Sequence, residues 1–253
     1  LADGTTATTV LQTGQPLRNS IVASPAVYTV DDAGNSPQGL NFLLNPSEAR
    51  ARWAYFGDLH SRVWRFDANN PQNAPTAIID LSGEGDQPIS TGISLLEVSK
   101  VPTIWFSTGR DSRVNLRTDP PRFRMYGYID RTGSNPPGAL SQAFYRDFPA
   151  TYRGNSAPAA VFAGGDTDGD PATAPVYTPV VFYTGISYIA HGSDASTLCQ
   201  SRFDSVLFAL QGLTGLAALD LRAGTNNEAD DAYVTVSGQI LQTPHVTSEG
   251  TLV

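Results

Sequence analysis

Three pairs of short apolar segments, each punctuated by glycine, constrain the fold of this chain most strongly. The segments are rich in aromatic and β-branched residues, a pattern that predicts β-hairpins. They span 53–58 with 63–67, 103–109 with 124–130, and 180–185 with 206–210. Trp64 and Phe66 fall on one side of a strand and Val63 and Arg65 on the other, because side chains alternate along a strand. Asp58 is predicted to close the first turn by accepting hydrogen bonds from backbone amides.

A short motif, serine or threonine followed by proline or glycine within an apolar stretch, indicates an internal repeat. It occurs at Ser24-Pro25, Thr91-Gly92, Thr178-Pro179 and Thr243-Pro244, with spacings of 67, 87 and 65 residues. Small residues and proline at a strand start are typical of crowded backbone, as in the innermost strands of propeller blades. We therefore expect an all-β fold, a modified β-propeller with long loops between strands. Residues 1–253 are treated as one domain with about three blades and the start of a fourth.

A propeller generally needs at least four blades, so the predicted one is incomplete within this chain. We expect the domain to be a fragment or processed part of a larger exported protein. The first residue is Leu1 rather than methionine, which would follow from signal-peptide removal or from cleavage of a longer precursor.

Helical patterns are few. Residues 46–51 fit one or two helical turns, and Gly138–Phe148 places Leu140, Phe144 and Phe148 four residues apart, which predicts a short amphipathic helix. By position alone, three predicted loops are candidates for a ligand-binding surface. These loops are 109–122, 131–160 and 190–204.

The composition excludes several functional classes. A net charge of −8 and a pI of about 4.7 argue against a surface that neutralises nucleic-acid phosphates. No apolar run approaches the roughly 20 residues needed to span a bilayer. Only 16% of residues are charged, whereas the chain holds 23 glycines and 18 prolines, a balance that favours short strands and turns over long helices.

Cys199 is the only cysteine, so no disulfide can form within these residues. It is either a buried thiol or the partner of a cysteine on another chain or on a segment outside this sequence. The three histidines, His60, His191 and His245, are not spaced for zinc.

The best candidate for a metal site is the segment Asp166-Thr167-Asp168-Gly169-Asp170. Carboxylates at alternate positions, here Asp166, Asp168 and Asp170, can converge on calcium, which takes about 6–8 oxygen ligands. Pro171 and Tyr177 stand where an EF-hand loop would have glycine and glutamate. The alternative interpretation is a polar loop between strands.

No nucleophile elbow, Walker loop or dinucleotide fingerprint occurs in the sequence, so we expect the protein not to be an enzyme. The enzyme alternative is a pyrroloquinoline-quinone dehydrogenase, because the segment 209–215 is similar to the Ala-x-Asp-x-x-Thr-Gly repeat of that class. Gln211 replaces the aspartate of the repeat.

Three segments, taken in order, resemble the PilY family of type IV pilus tip-associated adhesins. They are Tyr55–Asp67 with Gly57-Asp58 and Trp64-Arg65-Phe66-Asp67, Trp105–Arg110 followed by Met125–Asp130, and Cys199 followed by Ser205–Gly215. The resemblance implies the C-terminal propeller of an exported bacterial protein that acts in pilus assembly, retraction control and adhesion. Ser61 stands where the family usually has glycine. The family's aspartate-rich calcium loop is absent from residues 40–52, so the resemblance does not carry calcium control to this chain.

We therefore expect an exported protein, at the cell surface, on a pilus or extracellular, that binds or scaffolds other extracellular protein subunits. The alternative is a structural subunit of an extracellular filament or surface assembly, because an unpaired sheet edge can accept a strand from another chain. On either interpretation, Cys199 and an open sheet edge are the expected contacts between chains.

Overall fold

The computed structural model describes residues 21, 23–30, 50–109, 122–133, 137–165, 176–189, 202–219, 232–238, 240 and 242–244. The described residues form three antiparallel sheets and contain no α-helix, which confirms the all-β prediction. None of the described helical structure could cross a membrane, since its longest piece is the single 3₁₀ turn Ser82–Glu84.

Each sheet is built from strands that follow one another in the chain. The first has the order β1 (Ala26–Val30), β2 (Arg50–Gly57), β3 (Arg62–Asp67) and β4 (Thr76–Asp80). The second has the order β5 (Ser94–Val98), β6 (Val101–Ser107), β7 (Arg124–Asp130) and β8 (Leu140–Asp147). After the short β9 (Arg153–Gly154), the third has the order β10 (Ala159–Gly165), β11 (Val176–Ile189), β12 (Arg202–Gln211) and β13 (Tyr233–Ser237). Strand β9 also pairs with β11.

The three predicted hairpins are confirmed as β2–β3, β6–β7 and β11–β12. Placing these hairpins in correspondence aligns the three sheets position by position. The aligned positions across neighbouring strands are Ala26–Tyr55–Arg65–Thr76, Ser94–Trp105–Gly127–Phe144 and Ala159–Phe182–Ala209. Equivalent residues of the three sheets can therefore be compared one by one.

The sheets pack face to face in chain order around two apolar cores. We call the face that points to the next sheet the front face and the opposite one the back face. Tyr55 lies on the front face of the first sheet, in a core shared with Phe106 on the back face of the second. Trp105 lies on the front face of the second sheet, in a core shared with Tyr183 on the back face of the third. The middle sheet therefore contributes to both cores.

The predicted helix over Gly138–Phe148 is wrong, because Leu140–Asp147 is strand β8. A four-residue spacing is also a multiple of the two-residue period of a strand, so Phe144 and Phe148 both enter the second core without a helix. A register shift between β7 and β8 turns Leu140 to the other side, against the first core. The predicted loop 131–160 consequently contains β8, β9 and the start of β10.

Two further sequence predictions need correction. Thr178-Pro179 lies inside β11, the second strand of its sheet, whereas the strand that opens this sheet follows Ser156-Ala157-Pro158. Pro25 and Pro158 each directly precede the strand that opens their sheet, so the position equivalent to Ser24 is Ala157 rather than Thr178. Of the predicted helical turn 46–51, residues 50 and 51 begin β2 and residues 46–49 lie outside the described residues.

Candidate functional site

Asp58 organises the β2–β3 turn, as the sequence predicts, and is 1% exposed. Its carboxylate accepts hydrogen bonds from the backbone amides of His60 and Arg62 at 2.8 and 3.0 Å, and from Trp64 Nε1 at 2.9 Å. Ser61 has a φ of 67°, the left-handed conformation that favours glycine. All acceptor contacts of the aspartate are thus used to hold the turn, which makes Asp58 a structural residue.

Asp130, at the end of β7, is the centre of a buried polar network between the first and second sheets. Its Oδ2 accepts hydrogen bonds from Tyr55 Oη at 2.8 Å and from Arg65 Nη1 at 2.7 Å. Its Oδ1 accepts hydrogen bonds from the backbone amide and the hydroxyl of Thr132. The carboxylate is therefore buried with a paired cation and several donors, as a buried charge requires.

The electrostatics of this network favour the charged form of Asp130. Burial alone would raise the pKa of its carboxyl, but the hydrogen bond from Thr132, the charge of Arg65 and the hydrogen bond from Tyr55 together hold the pKa below its usual value. Burial, and then the charge of Asp130, raise the pKa of Tyr55 far above its usual value. Tyr55 consequently stays a neutral donor, and the network links two sheets rather than transferring protons.

An equivalent link joins the second and third sheets. Trp105, at the position of Tyr55 in the repeat, donates its Nε1 hydrogen to the carbonyl of Gly212 at 2.8 Å. Tyr183 on the back face of the third sheet donates to the carbonyl of Tyr126 at 2.8 Å. The buried polar groups of both junctions therefore serve the stacking of the sheets.

A surface patch lies where the turn after the first sheet meets the outer strands of the second sheet. It consists of Glu84, Arg122, Arg124, Tyr145 and Asp147, and we call it the mixed-charge patch. Arg124 is its hub, because it donates to Asp147 Oδ1 at 2.9 Å, forms an ion pair with Glu84 and lies over the Tyr145 ring at 4.8 Å from the centroid.

Three members of the mixed-charge patch are open to solvent: Glu84, Arg122 and Tyr145. The side chain of Arg122 is 69% exposed and Tyr145 is 54% exposed, so the guanidinium donors and the aromatic ring are accessible from solvent. Tyr126 supports the patch from below by donating to Glu84 at 2.9 Å, and burial raises the pKa of its hydroxyl. An exposed tyrosine beside arginines is the composition that protein interfaces favour.

The structure does not test the residues predicted from sequence as metal ligands or as a contact between chains. Asp166, Asp168, Asp170 and Cys199 lie outside the described residues. His60 contributes its backbone amide to the Asp58 turn. Within the described ranges, no group of three or more histidine, cysteine, aspartate and glutamate side chains could hold a metal ion.

Gln211, which replaces the aspartate of the quinoprotein repeat, also has a local structural role. Its side-chain oxygen accepts a hydrogen bond from Thr214 Oγ1 at 3.1 Å, and its backbone carbonyl accepts one from Gly215 N at 2.9 Å. Asp67 closes the turn after β3 in the same way, through Asn69 N at 3.0 Å. The motif thus marks the end of the third strand of a sheet.

Sequence reasoning missed the mixed-charge patch. Its members come from the 3₁₀ turn, from β7 with the residue two places before it, and from β8, so no short motif joins them. Arg122 lies within the predicted loop 109–122, and Tyr145 and Asp147 lie within the predicted loop 131–160, but no sequence pattern singled them out. Comparison of the chain with protein-family models, curated proteins and solved structures found no match.

Proposed function

We propose that the three sheets are consecutive blades of a modified β-propeller. In that architecture, four-stranded sheets are arranged radially, with the first strand of each nearest the axis. Three observations support it: the four main strands of each sheet follow one another in chain order, the front face of each of the first two sheets meets the back face of the next, and the first strands β1, β5 and β10 lie side by side in that order.

We further propose that the protein is an exported, PilY-like binding or scaffold protein without enzymatic activity, at the cell surface or on a pilus. The observation that carries this proposal is where the resembling segments lie. Tyr55–Asp67 forms β2–β3, Met125–Asp130 lies in β7, and Ser205–Gln211 lies in β12, which are second and third strands of the repeat. The resemblance therefore coincides with equivalent positions in all three sheets.

The mixed-charge patch is the surface through which we propose this protein contacts another extracellular protein subunit. Tyr145 offers a rigid aromatic surface, and its neighbours offer charges of both signs. Tyrosine and arginine side chains carry a large share of the binding energy in protein interfaces. The proposed calcium ligands Asp166, Asp168 and Asp170 stay a separate prediction, since they lie outside the described residues.

The test is binding of the purified chain to isolated type IV pili, measured by co-sedimentation and by biolayer interferometry. Tyr145→Ala is expected to weaken binding about tenfold, equivalent to about 1.4 kcal/mol at an interface residue. Tyr177→Ala is the matched control, because Tyr177 is a similarly exposed tyrosine (58%) on the third sheet, away from the patch.

Failure of the parent chain to bind pili would overturn the proposed function. If Tyr145→Ala and Tyr177→Ala weaken pilus binding equally, the mixed-charge patch is not the surface that contacts the pilus. Thermal denaturation of both variants shows that neither loss comes from unfolding.

A further inference from the structure

The back face of the first sheet carries apolar side chains that no other described sheet covers. Alternation along β2 and β3 turns four of them away from the first core. They are Ala54, Phe56, Trp64 and Phe66. Val27 of β1 lies beside Ala54 on the same side and is 47% exposed. Trp64 and Phe66 are half-buried, and among the described residues none of the five belongs to either core.

The back faces of the other two sheets show that such a face is normally covered. In the alignment of the hairpins, Trp64 takes the position of Tyr126 in the second sheet and of Phe208 in the third. Tyr126 and Phe208 are 0% and 2% exposed, because each lies in a core shared with the preceding sheet. The first sheet therefore presents the residue types of a contact between sheets, and no described sheet precedes it.

Large and small side chains alternate across this face, so two copies of it can interlock. Trp64 and Phe66 form an aromatic ridge along β3. Ala54 on β2 and Ala77 on β4 leave shallow grooves on either side of the ridge. When two such faces meet about a two-fold axis, the ridge of each can enter a groove of the other, as side chains interdigitate between packed sheets.

The charges on this side suit self-association of an acidic chain. Arg62 and Asp80 lie opposite each other at one end of the face, where the Arg62 guanidinium stacks over the Trp64 ring at 4.8 Å from the centroid. Their charges have opposite signs, and the middle of the face is apolar. Two copies can therefore meet there without burying like charges, although the chain carries a net charge of −8.

A second copy of the chain has the same open face to offer. At the aligned positions of the three front faces, Tyr55, Trp105 and Phe182 are 0%, 0% and 5% exposed. The back faces of the second and third sheets are covered as described above. Among the described sheets, the back face of the first is thus the one left open, and a contact that pairs a surface with itself has two-fold symmetry.

We propose that the protein self-associates into a two-fold dimer in which the back faces of two first sheets pack against each other. Four strands at about 4.8 Å and five residues at about 3.4 Å give a contact of roughly 300–400 Å² per copy. Stable complexes bury about 800 Å² per partner, so this dimer is weak and depends on concentration. The interface is separate from the mixed-charge patch and does not rest on the proposed contact with pili.

Analytical ultracentrifugation of the full chain tests the contact, at about 10–500 μM to suit a weak dimer. A reducing agent keeps Cys199 from linking two chains. The parent is expected to shift with concentration from 26.9 kDa towards twice that mass and to stop there. Val27→Asp should weaken the dimer about tenfold or more, because it places a charge in an apolar contact. Val236→Asp is the matched control, since Val236 is similarly exposed (43%) on the outer strand of the third sheet.

Three results would overturn the proposal: a parent chain that stays monomeric over the whole range, association that continues past the dimer, or equal weakening by Val27→Asp and Val236→Asp. Ala77→Asp keeps the test open if Val27→Asp does not fold. Ala77 is an exposed residue at the opposite side of the same face, and its substitution should weaken the dimer in the same way. Dimerisation together with failed pilus binding would leave this interface standing and remove the proposed function, whereas a monomer that binds pili would do the reverse.

Discussion

At the scale of single residues, the buried carboxylate of Asp130 shows how one charge can join two sheets. It accepts hydrogen bonds from β2, β3 and the turn after β7, so the first and second sheets share one acceptor. Removing the charge leaves the Arg65 guanidinium without its anionic partner, and breaking a buried pair from one side costs about 3–5 kcal/mol.

Asp130→Asn is therefore expected to lower the free energy of unfolding at pH 7 by about 3 kcal/mol, measured by urea denaturation. The pKa of Asp130 is lowered in the folded state, so its contribution is present above the unfolded pKa of about 3.9 and is lost as the pH falls through the folded value. Between about pH 5 and about pH 2, the free energy of unfolding of the variant should therefore fall by less than that of the parent.

Asp67→Asn is the matched control, since Asp67 ends the equivalent strand of the first sheet and accepts hydrogen bonds only from its own turn among the contacts described. Its effect at pH 7 should stay below about 1 kcal/mol, because asparagine can accept the same turn hydrogen bonds. Equal effects of the two substitutions would show that Asp130 acts only as a turn residue.

At the scale of elements, the loop of the β5–β6 hairpin holds two residues in a strained backbone conformation. Its two-residue loop is Ser99-Lys100, between the paired residues Val98 and Val101, and the φ angles are 52° and 64°. Positive φ at both positions is the type I′ turn, for which asparagine followed by glycine is strongly preferred. Serine and lysine adopt this conformation at a cost, which the flanking strand pairs overcome.

Replacing Ser99-Lys100 by Asn-Gly, as Ser99→Asn with Lys100→Gly, should raise the free energy of unfolding by about 0.5–1 kcal/mol, because the left-handed conformation is then favoured. Thermal and urea denaturation measure the change. The order Ser99→Gly with Lys100→Asn serves as the control, since a composition effect alone would stabilise both variants equally. Destabilisation by the Asn-Gly variant would contradict the type I′ assignment.

The elements also show how far sequence patterns reach. The three hairpins were predictable because glycines interrupt their aromatic runs and because their side chains alternate with a two-residue period. The Asp58 turn was predictable because an aspartate at that place can accept hydrogen bonds from the backbone amides of the turn. Strand β8 was not, since the four-residue spacing of Phe144 and Phe148 fits a helix and a strand equally well. The mixed-charge patch was hidden because Glu84 and Arg124, 40 residues apart, pair only when the second sheet docks on the first.

At the scale of the whole molecule, the middle sheet is the element on which the described fold depends. Its back face fills the first core with Phe106 and its front face fills the second with Trp105. Since neither outer sheet can bury its apolar face without it, we expect the described sheets to unfold together. Such a stack differs from independent hairpins, because a substitution that destabilises one junction between sheets also destabilises the other junction.

Trp105→Phe tests this cooperativity. The substitution removes the hydrogen bond to the Gly212 carbonyl and leaves a small cavity in the second core, and is expected to cost about 2–3 kcal/mol. The remaining tryptophans, Trp53 and Trp64, both lie in the first sheet, so their fluorescence reports a region remote from the change. In one cooperative transition, the urea midpoint followed by fluorescence falls by as much as the midpoint followed by circular dichroism. A fluorescence midpoint that stays at the parent value while circular dichroism shows an earlier step would mean that the first sheet unfolds on its own.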